Sequence, residues 1–314
     1  MDFPAAHRPG YEVVFSYRPK GSPSGRAVAE WRLRGLSKKG VTTMPKRILL
    51  VQDMTGYGKV ALAAIMPVLS HMGHHVFTLP TAIVSNTLDY GEFAILELTD
   101  YMRDTLRVWR NLGFRFDAVS TGMIFSEEQA ALVGELCREA SAQGSTVFVD
   151  PVMGDEGKLY NGVTEATVSH MRSMCAVADY VMPNYTEAAY LAGMPIAEDL
   201  TRAEADALVD SLRSMGAKSV LITSAKVEGS YCVVGYDHKA EARFCLPFEM
   251  VPVFFSGTGD LFSGILTGRV LDGMPLQQAV QYAMDAIRVM ILRHKDNEDH
   301  YVGIPIETCL DVLE

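Results

Sequence analysis

From residue 48 onward, short apolar segments rich in β-branched residues alternate with longer segments in which apolar positions recur at a helical period. The short segments predict strands at residues 48–52, 75–80, 117–120, 146–149, 179–182, 219–223, 230–235 and 241–246. The longer segments predict helices near residues 57–72, 91–112, 126–143, 164–176, 186–193, 201–215, 259–272 and 276–293. This alternation predicts an α/β domain over residues 44–314, with a mainly parallel central sheet and helices on both of its faces.

Polar clusters follow several of the predicted strands. They are residues 52–58, 121–123, 150–155, 183–187 and 223–226. In open parallel sheets, ligands bind beyond the carboxyl ends of the strands. One polar strand end is uninformative, but several at the same edge of a sheet predict a binding site there.

The most informative stretch is Gly257-Thr258-Gly259-Asp260, which follows two aromatic residues and precedes an amphipathic run. Glycines allow backbone amides to approach an anion closely, and Thr258 can cap the helix that follows or donate to a phosphate. Asp260 beside such an anion site is placed to take a proton from an attacking hydroxyl, as phosphoryl transfer to an alcohol requires. The alternative is a glycine-rich turn with an ordinary acidic residue in the first helical turn, and these residues alone leave both interpretations open.

Oxygen ligands for a divalent cation are present on two neighbouring strand ends. Asp150 and Asp155 flank a Pro–Gly loop, and Asn184 and Glu187 follow the next strand. Mg²⁺ usually keeps several waters while it bridges one or two carboxylates and the substrate phosphates. Taken singly, Asp150 could tether its own turn and Glu187 could simply begin a helix. Together with a phosphate-binding turn, the set predicts a magnesium site.

Thr223, Ser224 and Lys226 are candidate donors to nucleotide phosphates, with a solvated loop lysine as the alternative for Lys226. The sequence has no Gly-x-x-x-x-Gly-Lys-Ser/Thr motif, which excludes the P-loop class. The histidines at positions 71, 74 and 75 are interpreted as a solvated helix terminus rather than a metal site.

Charge and cysteine usage restrict the partners. The net charge of −10 argues against nucleic acid or an anionic membrane as a partner. The five cysteines lack CxxC spacing and fit reduced thiols in a cytoplasmic protein. No apolar run is long enough to span a bilayer, and no secretory signal peptide is evident.

Residues 1–43 differ from the rest of the chain, with eight Lys and Arg against three acidic residues and no sustained period. A start codon assigned too early, a disordered basic arm and a transit peptide are the three interpretations. The first is favoured, because Met44 precedes a strand directly.

Four motifs occur in order with regular spacing: Asp150-Pro151-Val152-Met153-Gly154-Asp155, Pro183-Asn184-x-x-Glu187, Val220-Leu221-Ile222-Thr223-Ser224 and Gly257-Thr258-Gly259-Asp260. Over about residues 47–293 the chain resembles the ribokinase-like superfamily and, within it, the pyridoxal (vitamin B6) kinases. The resemblance implies a three-layer α/β/α sandwich that phosphorylates the 5′-hydroxymethyl group of a B6 vitamer. It also implies ATP and Mg²⁺ as cofactors, an assisting monovalent cation such as K⁺, and a homodimer.

The resemblance also implies roles for individual residues. Asp260 would be the general base, and the amides of Gly257, Thr258 and Gly259 would stabilise the transferring phosphoryl group. Nucleotide contacts are implied for Asn184, Glu187, Thr223, Ser224 and Lys226, and magnesium contacts for Asp150, Asp155 and Glu187. Contacts with the ring substrate are implied for Asp53, Ser85, Leu88 and Met123.

The chain departs from the family pattern near the ring substrate. The family often has Ser-Asn-His-Thr-Gly-Tyr where this chain has Ser85-Asn86-Thr87-Leu88-Asp89-Tyr90. Met123 and Met182 likewise replace a usual Tyr and Thr. Such polar-to-apolar changes bear on which vitamer is preferred. A hydroxymethylpyrimidine kinase, a sugar or nucleoside kinase, and a non-catalytic binding protein on the same fold are the alternatives.

Overall fold

The apolar run Ile48–Val51 lies inside a large sheet, and all four of its side chains are fully buried. Leu49 and Val51 belong to the hydrophobic cluster on one face of the sheet, and Ile48 and Leu50 to the cluster on the other. Successive side chains of a strand point to opposite faces of the sheet, so a strand that is covered on both faces needs apolar residues at every position.

The computed structural model describes residues 44–160 and 163–314, which belong to one compact unit. The interpretations of residues 1–43 lie outside the described residues. The strands are β1 (Arg47–Tyr57), β2 (His75–Asn86), β3 (Ile95–Glu97), β4 (Ala118–Thr121), β5 (Thr146–Val149), β6 (Gly154–Asp155), β7 (Lys158–Leu159), β8 (Tyr180–Val181), β9 (Ser219–Val227), β10 (Ser230–Asp237) and β11 (Ala242–Pro247).

Nine of these strands form one sheet in the order β11-β10-β9-β8-β5-β4-β1-β2-β3. The six from β9 to β2 pair in parallel, whereas β10, β11 and β3 add antiparallel edges. The strands β6 and β7 form a separate small hairpin. The mainly parallel sheet expected from the sequence is therefore confirmed.

The helices are α1 (Ala61–His71), α2 (Thr99–Leu112), α3 (Glu127–Ala142), α4 (Glu165–Cys175), α5 (Tyr185–Ala192), α6 (Arg202–Ser214), α7 (Thr258–Leu271) and α8 (Leu276–His294). Buried residues of α2 to α6 pack against one face of the sheet, and those of α1, α7 and α8 against the other. The three layers of an α/β/α sandwich result, as the resemblance implied. No helix in the described part of the chain is both long and apolar enough to cross a membrane.

Several predicted boundaries are wrong. The strands β1 and β2 continue past their predicted ends and stay paired, with Thr55 opposite Val84 and Tyr57 opposite Asn86. The segment 91–98, predicted as the start of a helix, instead contains β3, which pairs antiparallel with the extended part of β2. The apolar residues of this segment recur at a helical period, but the segment pairs as a strand because the extended part of β2 offers a free edge.

Candidate active site

A cavity of about 490 Å³ lies at the carboxyl ends of the parallel strands. It brings together most of the residues singled out in the sequence: Asp53, Leu88, Met123, Asp150, Asp155, Asn184, Glu187, Thr223, Ser224, Gly257, Thr258, Gly259 and Asp260. Segments far apart in sequence thus meet at one edge of the sheet, as the rule for parallel sheets predicts.

The residues Gly257, Thr258 and Gly259, called the anion turn below, form the entry to α7. Gly257 has a left-handed φ of 81°, and a Cβ there would lie 2.3 Å from the carbonyl oxygen of Lys59. Only glycine fits both conditions. A Cβ on Gly259 would meet nothing within 4 Å, so its surroundings leave room for a ligand. The residues at the start of α7 line the cavity, and the amides of a helix amino end are suited to bind an anion there.

Asp260 follows the anion turn and lies in the first turn of α7. Burial raises the pKa of the Asp260 carboxyl to about 7, while a hydrogen bond from the backbone N–H of Ala61 opposes this rise. A carboxylate with a pKa near neutrality is suited to accept a proton from a hydroxyl group. Ala61 itself has a left-handed φ of 49°, an unusual conformation for a residue other than glycine.

Three further carboxylates lie on the neighbouring strand ends. Burial, followed by the charges of Glu187 and Asp260, raises the pKa of Asp150 well above its ordinary value. Burial likewise raises the pKa of Asp155 and raises that of Glu187 to about 8. The negative charges of these carboxylates raise one another's pKa values, and a bound cation would relieve the repulsion.

Glu187 also has a structural role. Its two carboxylate oxygens accept hydrogen bonds from the backbone N–H groups of Met153 and Asn184, each at 2.9 Å. Asn184 returns a bond through its side-chain oxygen to the N–H of Glu187, and its amide donates to the carbonyl of Gly154. This capping box at the start of α5 holds the two strand ends together.

No group of three His, Cys, Asp or Glu side chains within residues 44–160 and 163–314 is arranged as a metal cage. The donor set still fits Mg²⁺, because that ion is commonly held through waters and substrate phosphates by one or two carboxylates. Of the three predicted magnesium ligands, Asp150 and Asp155 line the cavity without serving as helix caps, whereas Glu187 belongs to the capping box of α5.

The side of the cavity assigned to the ring substrate is partly polar and partly apolar. Asp53 is only 8% exposed, burial raises its pKa, and it accepts a hydrogen bond from the hydroxyl of Thr55 at 3.1 Å. Leu88 and Met123 lie in the same lining, together with apolar and aromatic residues that the sequence analysis did not single out: Phe93, Ile95, Phe125 and Phe254. Phe93 and Ile95 were missed because their segment was predicted to be helical.

Two predicted site residues, Ser85 and Lys226, do not line the cavity. The exposed Ser85 donates to the side chain of Asn86 at 2.6 Å and accepts from the N–H of Ala94 at 2.8 Å, so it ties down the loop before β3. Lys226 lies further along β9, past Thr223 and Ser224, and pairs across the sheet with Tyr231. Their predicted contacts remain predictions.

The cavity is strongly acidic. Among the described residues that line it there is no Lys, Arg or His, and the acidic residues are Asp53, Asp89, Asp150, Asp155, Glu156, Glu187 and Asp260. Asp89 was not singled out from the sequence as a site residue. Its carboxylate accepts a hydrogen bond from the hydroxyl of the buried Ser256, which directly precedes the anion turn.

The interpretation of the three histidines as a solvated helix terminus is wrong for one of them. His71 and His75 are exposed, but His74 is buried. Its Nδ1 accepts a hydrogen bond from the N–H of Lys46 at 3.4 Å, and burial lowers its pKa. The five cysteines are all free thiols, as expected from their spacing.

The three-layer fold, the anion turn and the adjacent carboxylate together define a phosphotransferase of the ribokinase-like class. The sequence profile of the phosphomethylpyrimidine kinase family matches residues 51–304. The chain therefore belongs to that family, in agreement with the resemblance seen in its motifs.

Individual relatives agree with this assignment. A pyridoxal kinase of Arabidopsis thaliana is 27% identical to this chain over 278 residues, which is 85% of this chain and 88% of the relative. A pyridoxine/pyridoxal/pyridoxamine kinase of Bordetella avium is 31% identical over 249 residues, which is 74% of this chain and 80% of the relative.

A crystal structure with pyridoxal, of a Bacteroides thetaiotaomicron protein assigned to the phosphomethylpyrimidine kinases, superposes with a TM-score of 0.82. It is 33% identical, and the match covers 86% of this chain and 96% of that one. The pyridoxal kinase of Lactobacillus plantarum superposes with a TM-score of 0.77 at 25% identity, over 85% of this chain and 96% of that one.

Proposed function

We propose that the protein transfers the γ-phosphoryl group of ATP to the 5′-hydroxymethyl group of a B6 vitamer. One observation carries this proposal. Asp260 directly follows the anion turn and faces the same cavity as the ring-side residues Asp53, Leu88 and Met123. A base, an anion site and a pocket for a flat substrate thus share one cavity of suitable size.

In this proposal Asp260 accepts the proton of the 5′-hydroxyl as that oxygen attacks the γ-phosphorus. The amides of the anion turn donate to the phosphoryl oxygens and offset the charge that they carry in the transition state. The carboxylate of Asp53 meets the polar edge of the pyridine ring, while Leu88 and Met123 contact its apolar parts. The hydroxyl groups of Thr223 and Ser224 and the amide of Asn184 are assigned to the nucleotide side.

Asp150 and Asp155 would hold Mg²⁺ through water, with Glu187 fixing the backbone of both strand ends. The ion supplies charge neutralisation and orientation for the phosphates. A monovalent cation such as K⁺ and a cytoplasmic homodimer complete the proposal. Light scattering of the purified protein tests the dimer: a mass of a single 34.5 kDa chain at micromolar concentration would overturn it.

The experiment that tests the function is ADP release with MgATP against pyridoxal, pyridoxine, pyridoxamine, hydroxymethylpyrimidine and ribose. Turnover of the B6 vitamers is expected. The family match to phosphomethylpyrimidine kinases makes hydroxymethylpyrimidine the second candidate substrate. Turnover of that compound alone would keep the mechanism and replace the substrate, and turnover of none of the five would overturn the proposal.

A further inference from the structure

The segment Asp299–Gly303, called the strap below, follows α8 and is hydrogen-bonded to loops whose residues Thr87 and Ser256 line the cavity. Consecutive carbonyl groups of the strap each accept a hydrogen bond from a different loop. The pairs, donor first, are Ser256 N with His300 O at 3.3 Å, Thr87 Oγ1 with Tyr301 O at 2.8 Å and Lys59 N with Val302 O at 2.7 Å.

Each of these three loops places a part of the proposed active site. Ser256 directly precedes the anion turn. Thr87 begins the lid segment, defined here as Thr87–Tyr90, whose first three residues line the cavity. Lys59 belongs to the loop that leads to Ala61, whose N–H donates to the carboxylate of Asp260. One short segment therefore contacts the elements that carry the anion site, the substrate pocket and the base.

Side chains strengthen the same contacts. One carboxylate oxygen of Asp299 accepts from the N–H groups of Tyr301 and Val302, at 3.0 and 3.3 Å, and so fixes the turn of the strap. The other accepts from the hydroxyl of Tyr90 in the lid segment, and this bond lowers the pKa of Asp299. The rings of Tyr90 and Tyr301 pack edge to face, with centroids 5.6 Å apart.

Gly303 allows the strap to approach two loops at once. Its φ is 85°, and a Cβ at this position would lie 3.0 Å from the carbonyl oxygens of both Lys59 and Ser256. That separation is tighter than side-chain carbons normally tolerate, and both neighbours are backbone atoms. Any larger residue at position 303 must move the strap away from the loop of Lys59, from the residue before the anion turn, or from both.

We infer that the strap is a positioning element of the kinase reaction, and that Thr87 and Gly303 are positioning residues within it. The strap holds the lid segment, the anion turn and the loop before Ala61 in one relative arrangement. The reacting groups therefore stay aligned only while its carbonyls remain bonded. This inference rests on the proposed function for its kinetic consequences, but its structural part can be tested without substrate.

Gly303→Ala tests the close approach, with Gly273→Ala as a matched control. Gly273 has a φ of 87°, but a Cβ there would meet nothing within 4 Å, so both variants carry the same backbone strain and only one displaces the strap. We expect kcat to fall about 10- to 100-fold in Gly303→Ala, because small misplacements of reacting groups are costly. Gly273→Ala should stay within about twofold of the wild type. Equal kcat values in the two variants would overturn the inference.

Thr87→Val removes the bond to Tyr301 at constant shape, and Thr87→Ser keeps the hydroxyl. Loss of this partly buried hydrogen bond should loosen the lid segment and raise KM for the vitamer about fivefold, with a smaller change in kcat. Thr87→Ser should recover most of the wild-type KM. A KM in Thr87→Val equal to that of the wild type, or equal values in Val and Ser variants, would contradict the inference even if Gly303→Ala fails to fold.

Hydrogen exchange on the full chain without substrate separates this inference from the proposed function. Amides of the lid segment and of residues 57–61 should exchange faster in Thr87→Val and in Gly303→Ala than in the wild type, and Gly273→Ala should match the wild type. Absence of vitamer phosphorylation by the wild type would overturn the proposed function. The exchange data would still test whether the strap holds the lid segment and residues 57–61 in place. Unchanged exchange rates at both segments would overturn the inference about the strap.

Discussion

The backbone N–H of Ala61 donates a hydrogen bond to the carboxylate of Asp260. Ala61 is the first residue of α1, and Asp260 lies in the first turn of α7, so the amino ends of two helices meet at one carboxylate. Helix amino ends favour negative charge and thus oppose the effect of burial on this group. The arrangement keeps Asp260 able to ionise inside a cavity that is otherwise acidic.

Asp260→Asn should preserve the hydrogen bond from Ala61 and remove the ability to accept a proton. We expect kcat to fall about 10²- to 10⁴-fold while MgATP still binds. Steady-state ADP release and calorimetric titration of MgATP measure the two effects. Turnover near the wild-type level would rule out Asp260 as the base.

The rate should depend on the ionisation of Asp260. Because burial raises the pKa of Asp260 to about 7, the carboxylate form predominates only above this pH. We therefore expect kcat/KM for the vitamer to decrease about tenfold per pH unit below about pH 7 and to level off above it. A pH–rate profile of the wild type measures this, and the residual activity of Asp260→Asn should lack the acidic limb.

Asp53→Ala should weaken the binding of the ring substrate rather than the chemistry. Asp53 is buried in the cavity wall, and under the proposed function its loss would leave the polar edge of the ring without a partner. We expect KM for the vitamer to rise about tenfold or more with a smaller effect on KM for ATP. Asp117→Ala is a suitable control, since this exposed carboxylate accepts from the N–H of Arg47 at the opposite end of β1. Equal kinetics of the two variants would argue against Asp53 as a ring contact.

Leu88→Thr introduces the hydroxyl that the family pattern described above often has at this position. Leu88 lines the ring side of the cavity, and a new donor there can pair with a polar ring substituent. The ratio of kcat/KM values for pyridoxal, pyridoxine and pyridoxamine should change about 10-fold in favour of a vitamer that accepts this bond. Ratios identical to those of the wild type would show that Leu88 does not contribute to vitamer choice.

Glu187→Gln should destabilise the fold more than the equivalent change in α6. Glu187 binds two backbone N–H groups from within the core, whereas Glu204 forms the same capping box with Thr201 at an exposed helix end. We expect a loss of about 2–3 kcal/mol for Glu187→Gln and a clearly smaller loss for Glu204→Gln. Urea denaturation measures both values.

The contribution of Glu187 to stability should also depend on pH. Burial raises the folded-state pKa of Glu187 to about 8, above its unfolded value, so the folded protein binds more protons between these two pH values. Its contribution to stability is thus fully present below about pH 4.5 and is lost as the pH rises toward 8. The difference in unfolding free energy between the wild type and Glu187→Gln should shrink over this window, and a constant difference would contradict the assignment.

Local sequence patterns were sufficient for the sheet, most helices and the anion turn with Asp260, because each depends on residues close together in the chain. The polar strand ends predicted where the cavity lies, since parallel strands bring their carboxyl ends together. The strap and the contact between Ser256 and Asp89 could not be predicted, because they join residues that are far apart in sequence and carry no local motif. That Ser85 lies outside the cavity lining could not be predicted either, because strand register decides which way a side chain points, and its substrate contact stays a prediction.

The acidic lining of the cavity affects which form of the nucleotide can enter it. With no cationic side chain among the described residues of the wall, uncomplexed nucleotide is repelled, and for the proposed reaction its phosphates must arrive already neutralised by metal. In the proposed mechanism the rate would therefore follow the concentration of the magnesium–nucleotide complex rather than that of total nucleotide. The rate of vitamer phosphorylation by this protein would then depend on the concentration of free magnesium as well as on the energy charge.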